Sequence, residues 1–246
     1  MQAPDILMGP KIRGSVRLVE MMDIRVQNIP VEDCEEPLID IATSGLIAYG
    51  PPPECPETAP FYRMLREGVV YKLEKAQQRL PKGLQLRLYE GFRSPNVQKV
   101  LFAGQLQRVR QENPFQDDAW CYMQAAKLAS PLNTFEGDDI IPPHSTGGAI
   151  DIEIVDETGN PLDFGMKLSD WGVVPPELCA TAFDGLSNIV KGNRELLAEA
   201  LTAEGFVNYP REWWHFSYGD QYWAHATGST KALYGTVYGN VLQNLT

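Results

Sequence analysis

Apolar positions along the chain recur at two periods, and each change of period marks the end of one element and the start of the next. Tyr62, Leu65, Val69, Leu73, Ala76 and Leu80 fall at steps of three and four. That spacing predicts one face of a helix, stopped by Pro81 and Gly83. Leu84, Leu86 and Leu88 then alternate with Gln85, Arg87 and Tyr89, which is strand periodicity. The turn Glu90-Gly91-Phe92-Arg93-Ser94-Pro95 follows, and Pro95 suits the first turn of another helix, with Val97, Val100, Leu101 and Leu106 as its buried side. A further helix is predicted over about 117–129, ended by Ser130-Pro131. After a loop reaching Pro142-Pro143, the segment 144–154 reads HSTGGAIDIEI. On a strand, Ile150, Ile152 and Ile154 share one side, and Asp151 and Glu153 share the other. Leu196, Leu197, Ala200 and Leu201 form the inward face of a helix over 193–204, with Gly205 at its C-terminal end. Residues 206–224 then form an aromatic, strand-like run. Helices and strands come in mixed order rather than strict alternation, so the expected class is α+β.

Composition narrows the function. The chain has 246 residues, 43% of them hydrophobic, enough for one domain with a sizeable core. It holds no apolar run of 18 residues, and its first 30 residues contain no continuous apolar stretch. A cytoplasmic protein with neither membrane span nor secretion signal is therefore expected. The proline-dense stretch from Tyr49 to Pro60 predicts an extended connection. Cys34, Cys55, Cys121 and Cys179 are widely spaced and form no C-x-x-C pair, which predicts reduced thiols rather than a disulfide or thiolate-metal framework. A net charge of −11 with no basic cluster repels nucleic-acid phosphates and anionic lipids. A small-molecule or peptide substrate fits better.

The chemistry concentrates in two stretches. The chain contains three histidines, and His144 opens a Gly-Gly loop that leads to Asp151 seven residues later. Gly147 and Gly148 let the backbone bend so that both side chains converge. An unpaired buried carboxylate costs several kcal/mol, so Asp151 wants solvent or a cation. Zinc takes imidazole nitrogen and carboxylate oxygen, and a catalytic zinc keeps three protein ligands and one open position. Glu212-Trp213-Trp214-His215 supplies the third donor. Pro210 and the aromatic run argue against a helix there, so Glu212 is expected at a turn entering a strand, close enough to handle protons for an activated water. Taken singly, a histidine in an aromatic segment is more often a core residue, and the H-x6-D spacing recurs by chance. Their joint presence beside Glu212, with no cysteine nucleophile paired to a histidine, favours the metal reading.

At these residues the sequence resembles the D-alanyl-D-alanine dipeptidase family of zinc peptidases. The anchors are EGFRSP at 90–95, HSTGGAID at 144–151, NRELLAEALTAEGFVNYP at 193–210 and EWWHF at 212–216, within about 62–223. The resemblance implies an α+β sandwich around one zinc, held by His144, Asp151 and His215. It gives Glu212 the catalytic-base position and Arg93 the position of the arginine that stabilises the oxyanion. It also implies a small dipeptide substrate. Length without an internal break predicts one domain over 1–246: an extension 1–59, a catalytic core 60–225 and a tail 226–246. Two positions depart from the family pattern. Pro142 replaces a serine that grips substrate, and the aspartate expected to bind the substrate ammonium is either replaced by Ser169 or displaced to Asp170. Both weaken the case for D-Ala-D-Ala itself. Glu90 adjoins this turn, although an exposed strand-end glutamate is the more ordinary reading. Trp213 and Trp214 either wall a pocket or pack in the core, and His225 reads as a surface residue. The rival functions are a D,D-carboxypeptidase or endopeptidase acting on peptidoglycan stems, and a non-catalytic zinc-stabilised binding module.

Overall fold

A computed structural model describes residues 18–50 and 61–238. In chain order these form α1 (Ile24–Gln27), β1 (Leu38–Asp40), β2 (Ala48–Tyr49), β3 (Met64–Arg66), α2 (Glu67–Gln77), β4 (Gln85–Glu90) and α3 (Pro95–Glu112). They continue as α4 (Asp118–Ala125), β5 (Ala149–Val155), α5 (Pro176–Cys179), α6 (Asn188–Thr202), β6 (Val207–Asn208), β7 (His215–Ser217) and α7 (Gln221–Thr227). One sheet has the order β2-β4-β5-β7-β6, and β1 pairs with β3 in a separate ribbon. The class is α+β. Strands β4, β5, β7 and β6 are antiparallel neighbours, whereas β2 runs parallel to β4 at the edge.

Leu86, Leu88, Ile150, Ile152, Ile154 and Phe216 of the sheet pack with Val69, Val70 and Leu73 of α2 and with Leu197 and Leu201 of α6. Each such side chain contributes about 1.5–3 kcal/mol when taken out of water. The alternation in β4 and β5 thus does what it predicts, but the opposite face is covered as well, since all seven residues of β5 are buried. Glu153 is matched there by Arg87 at 2.6 Å. Asp151 belongs to the site.

Several boundaries differ from the sequence reading. The helix expected from Tyr62 begins only at Glu67, because Met64–Arg66 pairs with β1. Gly91 N and Phe92 N donate to Tyr62 O and Met64 O at 2.6 and 2.9 Å, tying this stretch to the loop after β4. Tyr62 and Leu65 are buried as parts of that layer, and their spacing matches a helix by coincidence. In α3 the expected inward Val100 is 57% exposed, while Val97, Phe102 and Val109 are buried. Helix α4 stops at Ala125, short of Ala129. Helix α6 starts early, at Asn188, because the Ser187 hydroxyl caps it at Val190 N. The aromatic run contains two strands and then helix α7, which Asp220 starts by accepting from Trp223 N at 2.8 Å.

Cys34 is exposed, and Cys121 and Cys179 are buried and free; Cys55 and most of the Tyr49–Pro60 stretch lie outside the described residues. Among those residues no helix is long and apolar enough to cross a membrane.

Candidate metal centre and its cleft

Three adjacent strands present one row of polar side chains: Glu90 opposite Asp151, and Asp151 opposite His215. The row depends on a β-bulge. Leu86 and Leu88 oppose Ile154 and Ile152, so regular pairing would set Tyr89 against Asp151; the register shifts by one and Glu90 takes that place. A bulge re-aims the side chains beyond it, which moves Glu90 off the leucine face of its strand.

His144 comes from a 3-10 turn, Pro143–Thr146, that closes through Gly147 at φ 74°. Gly148 then passes so close to the next strand that a Cβ would stand 2.3 Å from Tyr218 O. His144 Nε2 lies 3.2 Å from His215 Nδ1 and 3.3 Å from Asp151 Oδ1, and His215 Nδ1 lies 3.0 Å from Asp151 Oδ1. A tetrahedral zinc with ligands at about 2.0–2.1 Å has ligand-to-ligand edges of about 3.3–3.4 Å. The triangle comes within about 0.4 Å of that size on every edge, so small shifts would fit such an ion. His144 Nδ1 is 2.7 Å from Gly91 O. A carbonyl only accepts, so that nitrogen carries the hydrogen and Nε2 presents its lone pair to the other two donors.

The electrostatics agree with a cation site. Burial opposes the charge on Asp151, yet the His144 and His215 imidazoles overcome it and hold the carboxyl far below its usual range. Burial pushes His215 down, towards the neutral imidazole that a metal needs. Burial and neighbouring Asp151 push Glu212 well up, against the pull of Arg93 and Arg211.

Glu212 sits where the sequence puts it, at a turn: its N–H donates to Tyr209 O at 2.9 Å, and its carbonyl accepts from His215 N at 3.2 Å. Its carboxylate is 3.7 Å from His215 Nδ1. Arg93 pairs with Glu90, reaches Asp151 at 3.7 Å and donates to Gln98 Oε1 at 2.9 Å. Burial opposes its charge, but Glu90, Asp151 and Glu212 raise its pKa overall. Arg93 Nε and Glu90 Oε1 are buried without a hydrogen-bond partner among the described residues.

A cavity of about 150 Å³ opens over this row, room for about five water molecules at roughly 30 Å³ each. Glu90 lines it and is only 5% exposed, so the reading of an exposed strand end is corrected; the bulge is the reason. Pro142, Ser169 and Trp214 also line it. Asp170 does not, and instead accepts from the Ser169 hydroxyl at 3.1 Å. Trp213 is a core residue, stacked on Phe164 at 4.2 Å between centroids and lying outside the cleft. His225 is half-buried on α7. Met21, Gln98, Lys127, Trp171 and Tyr209 also line the cleft. No local pattern marks the first four, which arrive from stretches remote from both histidine segments, whereas Tyr209 lies three residues before Glu212.

The D-ala-D-ala dipeptidase family model matches residues 62–231, and the chain belongs to that family. It is therefore a peptidase of a metal-dependent group, and its buried His144, Asp151 and His215 can hold a metal ion. A D-alanyl-D-alanine dipeptidase of Synechocystis is 29% identical over 249 residues, covering 85% of this chain and 95% of that protein. One of Escherichia coli is 37% identical over 73 residues, 30% of this chain and 36% of that protein. Among solved structures, the LdcB LD-carboxypeptidase is matched over 83% of this chain and 73% of that chain, with a TM-score of 0.37 and 16% identity.

Proposed function

We propose that this chain is a zinc-dependent dipeptidase that hydrolyses D-Ala-D-Ala or a similarly small dipeptide. One observation carries the reading: three donor atoms 3.0–3.3 Å apart, with the Glu212 carboxylate 3.7 Å from one of them, under a small cavity. His144, Asp151 and His215 would hold the ion. When bound, it would polarise the scissile carbonyl and lower the pKa of a water molecule. Glu212 takes a proton from the attacking water and delivers it to the departing amine nitrogen. The new carbon–oxygen bond leaves a free carboxylate, and the broken amide leaves an ammonium group. Arg93, a fixed cation aimed over the same row, holds the oxyanion. Glu90 Oε1 and Ser169 are the polar groups available to the substrate's charged amine. Pro142 brings no hydroxyl to the cleft wall. On this reading the described residues form one peptidase domain, in which 18–50 contribute β1 and β2 to the two sheets.

The test is amino-acid release from D,D-, L,D- and L,L-dipeptides by the zinc-loaded chain and by Glu212→Gln, with a stem pentapeptide alongside. The expected result is release from a dipeptide that falls at least about a hundredfold in the variant, with its metal retained. Cleavage of the pentapeptide alone would replace the dipeptidase reading with a carboxypeptidase. No release from any substrate would leave a binding module.

A further inference from the structure

The turn that carries Glu212 is held from a part of the chain far outside the family match, which begins at residue 62. Glu20 receives three hydrogen bonds from Arg211, two of them at 2.9 and 2.7 Å, and accepts from the Tyr209 hydroxyl at 2.7 Å. Tyr209 and Arg211 both belong to the turn Tyr209-Pro210-Arg211-Glu212. Tyr209 N donates to His215 O at 3.0 Å, and its ring lies edge-on to the His215 ring at 6.1 Å. One carboxylate thus grips the two residues that flank Pro210, of which Arg211 immediately precedes the proposed base.

The segment that carries Glu20 is itself anchored. Gln221 Nε2 donates to Gln27 O and Ile29 O at 2.9 and 2.8 Å, and Gln27 Nε2 donates to Met21 O at 2.6 Å. Met21 and Val26 pack on Tyr209 and Tyr222. Met21 also lines the cleft. Residues 20–29 therefore form a strap fixed to α7 at one end and to the Glu212 turn at the other.

We propose that Glu20 is a positioning residue of the active site, fixing Tyr209 and Arg211 and so the approach of Glu212 to the His144–Asp151–His215 group. This rests on the dipeptidase reading for its catalytic consequence, but not for the clamp itself. Small displacements of a reacting group are costly in rate: about 1 Å can lower turnover a hundredfold.

The experiment uses the full chain loaded with zinc, as wild type, Glu20→Ala, Glu20→Gln, Arg211→Ala and the Glu20→Ala/Arg211→Ala double variant. Glu20→Ala should lower kcat roughly tenfold to a hundredfold with KM within about twofold. Bound zinc should not change. Glu20→Gln keeps an acceptor for Tyr209 and one arginine N–H, and should recover most of the loss. Arg211→Ala should match Glu20→Ala, and the double variant should be no worse than either, since coupled residues are non-additive. Independently of any substrate, hydrogen exchange at the amides of 209–215 should rise in Glu20→Ala and stay unchanged elsewhere. Unchanged exchange at 209–215 overturns the clamp. Additive losses, or a fall in kcat that tracks a global loss of folded protein or zinc, overturn the positioning role. If no variant and no wild-type protein cleaves any dipeptide, the dipeptidase reading fails, and exchange alone decides the clamp.

Discussion

Asp151 is nine-tenths buried, and its neighbours decide its charge. Two imidazoles and the more distant Arg93 face it, so its ionised form is stabilised in spite of a dry setting. Arg93 works as a fork rather than a point charge, with one nitrogen tied to Gln98 and another to Glu90. Arg93→Lys keeps the charge and loses the fork, so kcat should fall about a hundredfold while bound metal is unaffected, as measured by dipeptide turnover and metal analysis. Cys179 offers a check on burial beside the site. Burial and the nearby Glu212 charge push its thiol up to about 12, against Arg194 and Arg108. An unfolded cysteine ionises near pH 8.5, so between there and about pH 12 the unfolded chain has released a proton that the folded chain retains. Stability must fall with rising pH across that window, by at most about 1.4 kcal/mol per pH unit from this group. Denaturant midpoints of Cys179→Ala should lose that part of the slope, and an identical slope would refute the burial argument.

At the scale of elements, the site depends on one close approach and one irregularity. Gly148 lets the His144 turn press against the chain just after β7, with 2.3 Å between its would-be Cβ and Tyr218 O. Gly148→Ala should cost about 1–3 kcal/mol in thermal or denaturant unfolding and weaken metal binding, because the His144 turn must back away from His215. The irregularity is the bulge at Tyr89, and it limits what periodicity can reveal. Leu84, Leu86 and Leu88 announce the strand correctly, but continued alternation would put Glu90 on the leucine face. Only pairing with β5 shows the slip. The helical spacing of Tyr62 and Leu65 misleads for a related reason: a buried ribbon makes both positions apolar, and the step of three is accidental. Helix α7 was hidden because its aromatic residues resemble a strand, while the single aspartate cap that starts it is a weak local signal.

At the scale of the molecule, the core of the site was legible because its parts are local. His144 and Asp151 share one turn and strand, Glu212 and His215 share another, and β5 pairs with β7 so that Asp151 meets His215. The rest of the cleft was not, since Met21 and Lys127 reach it only through the folded chain. The two histidine stretches predicted residues that the fold brings together as a His144–Asp151–His215 group able to hold a metal ion, and the strap at Glu20 packs beside it. Zinc titration of the metal-free chain, read by amino-acid release from D-Ala-D-Ala and the other dipeptides, tests the whole account most directly. Release should rise to a plateau at one zinc per chain, vanish with a chelator, and be absent with weakened zinc binding in His144→Ala, Asp151→Ala and His215→Ala. Turnover that ignores the chelator, or tight zinc binding that survives loss of those side chains, would contradict it.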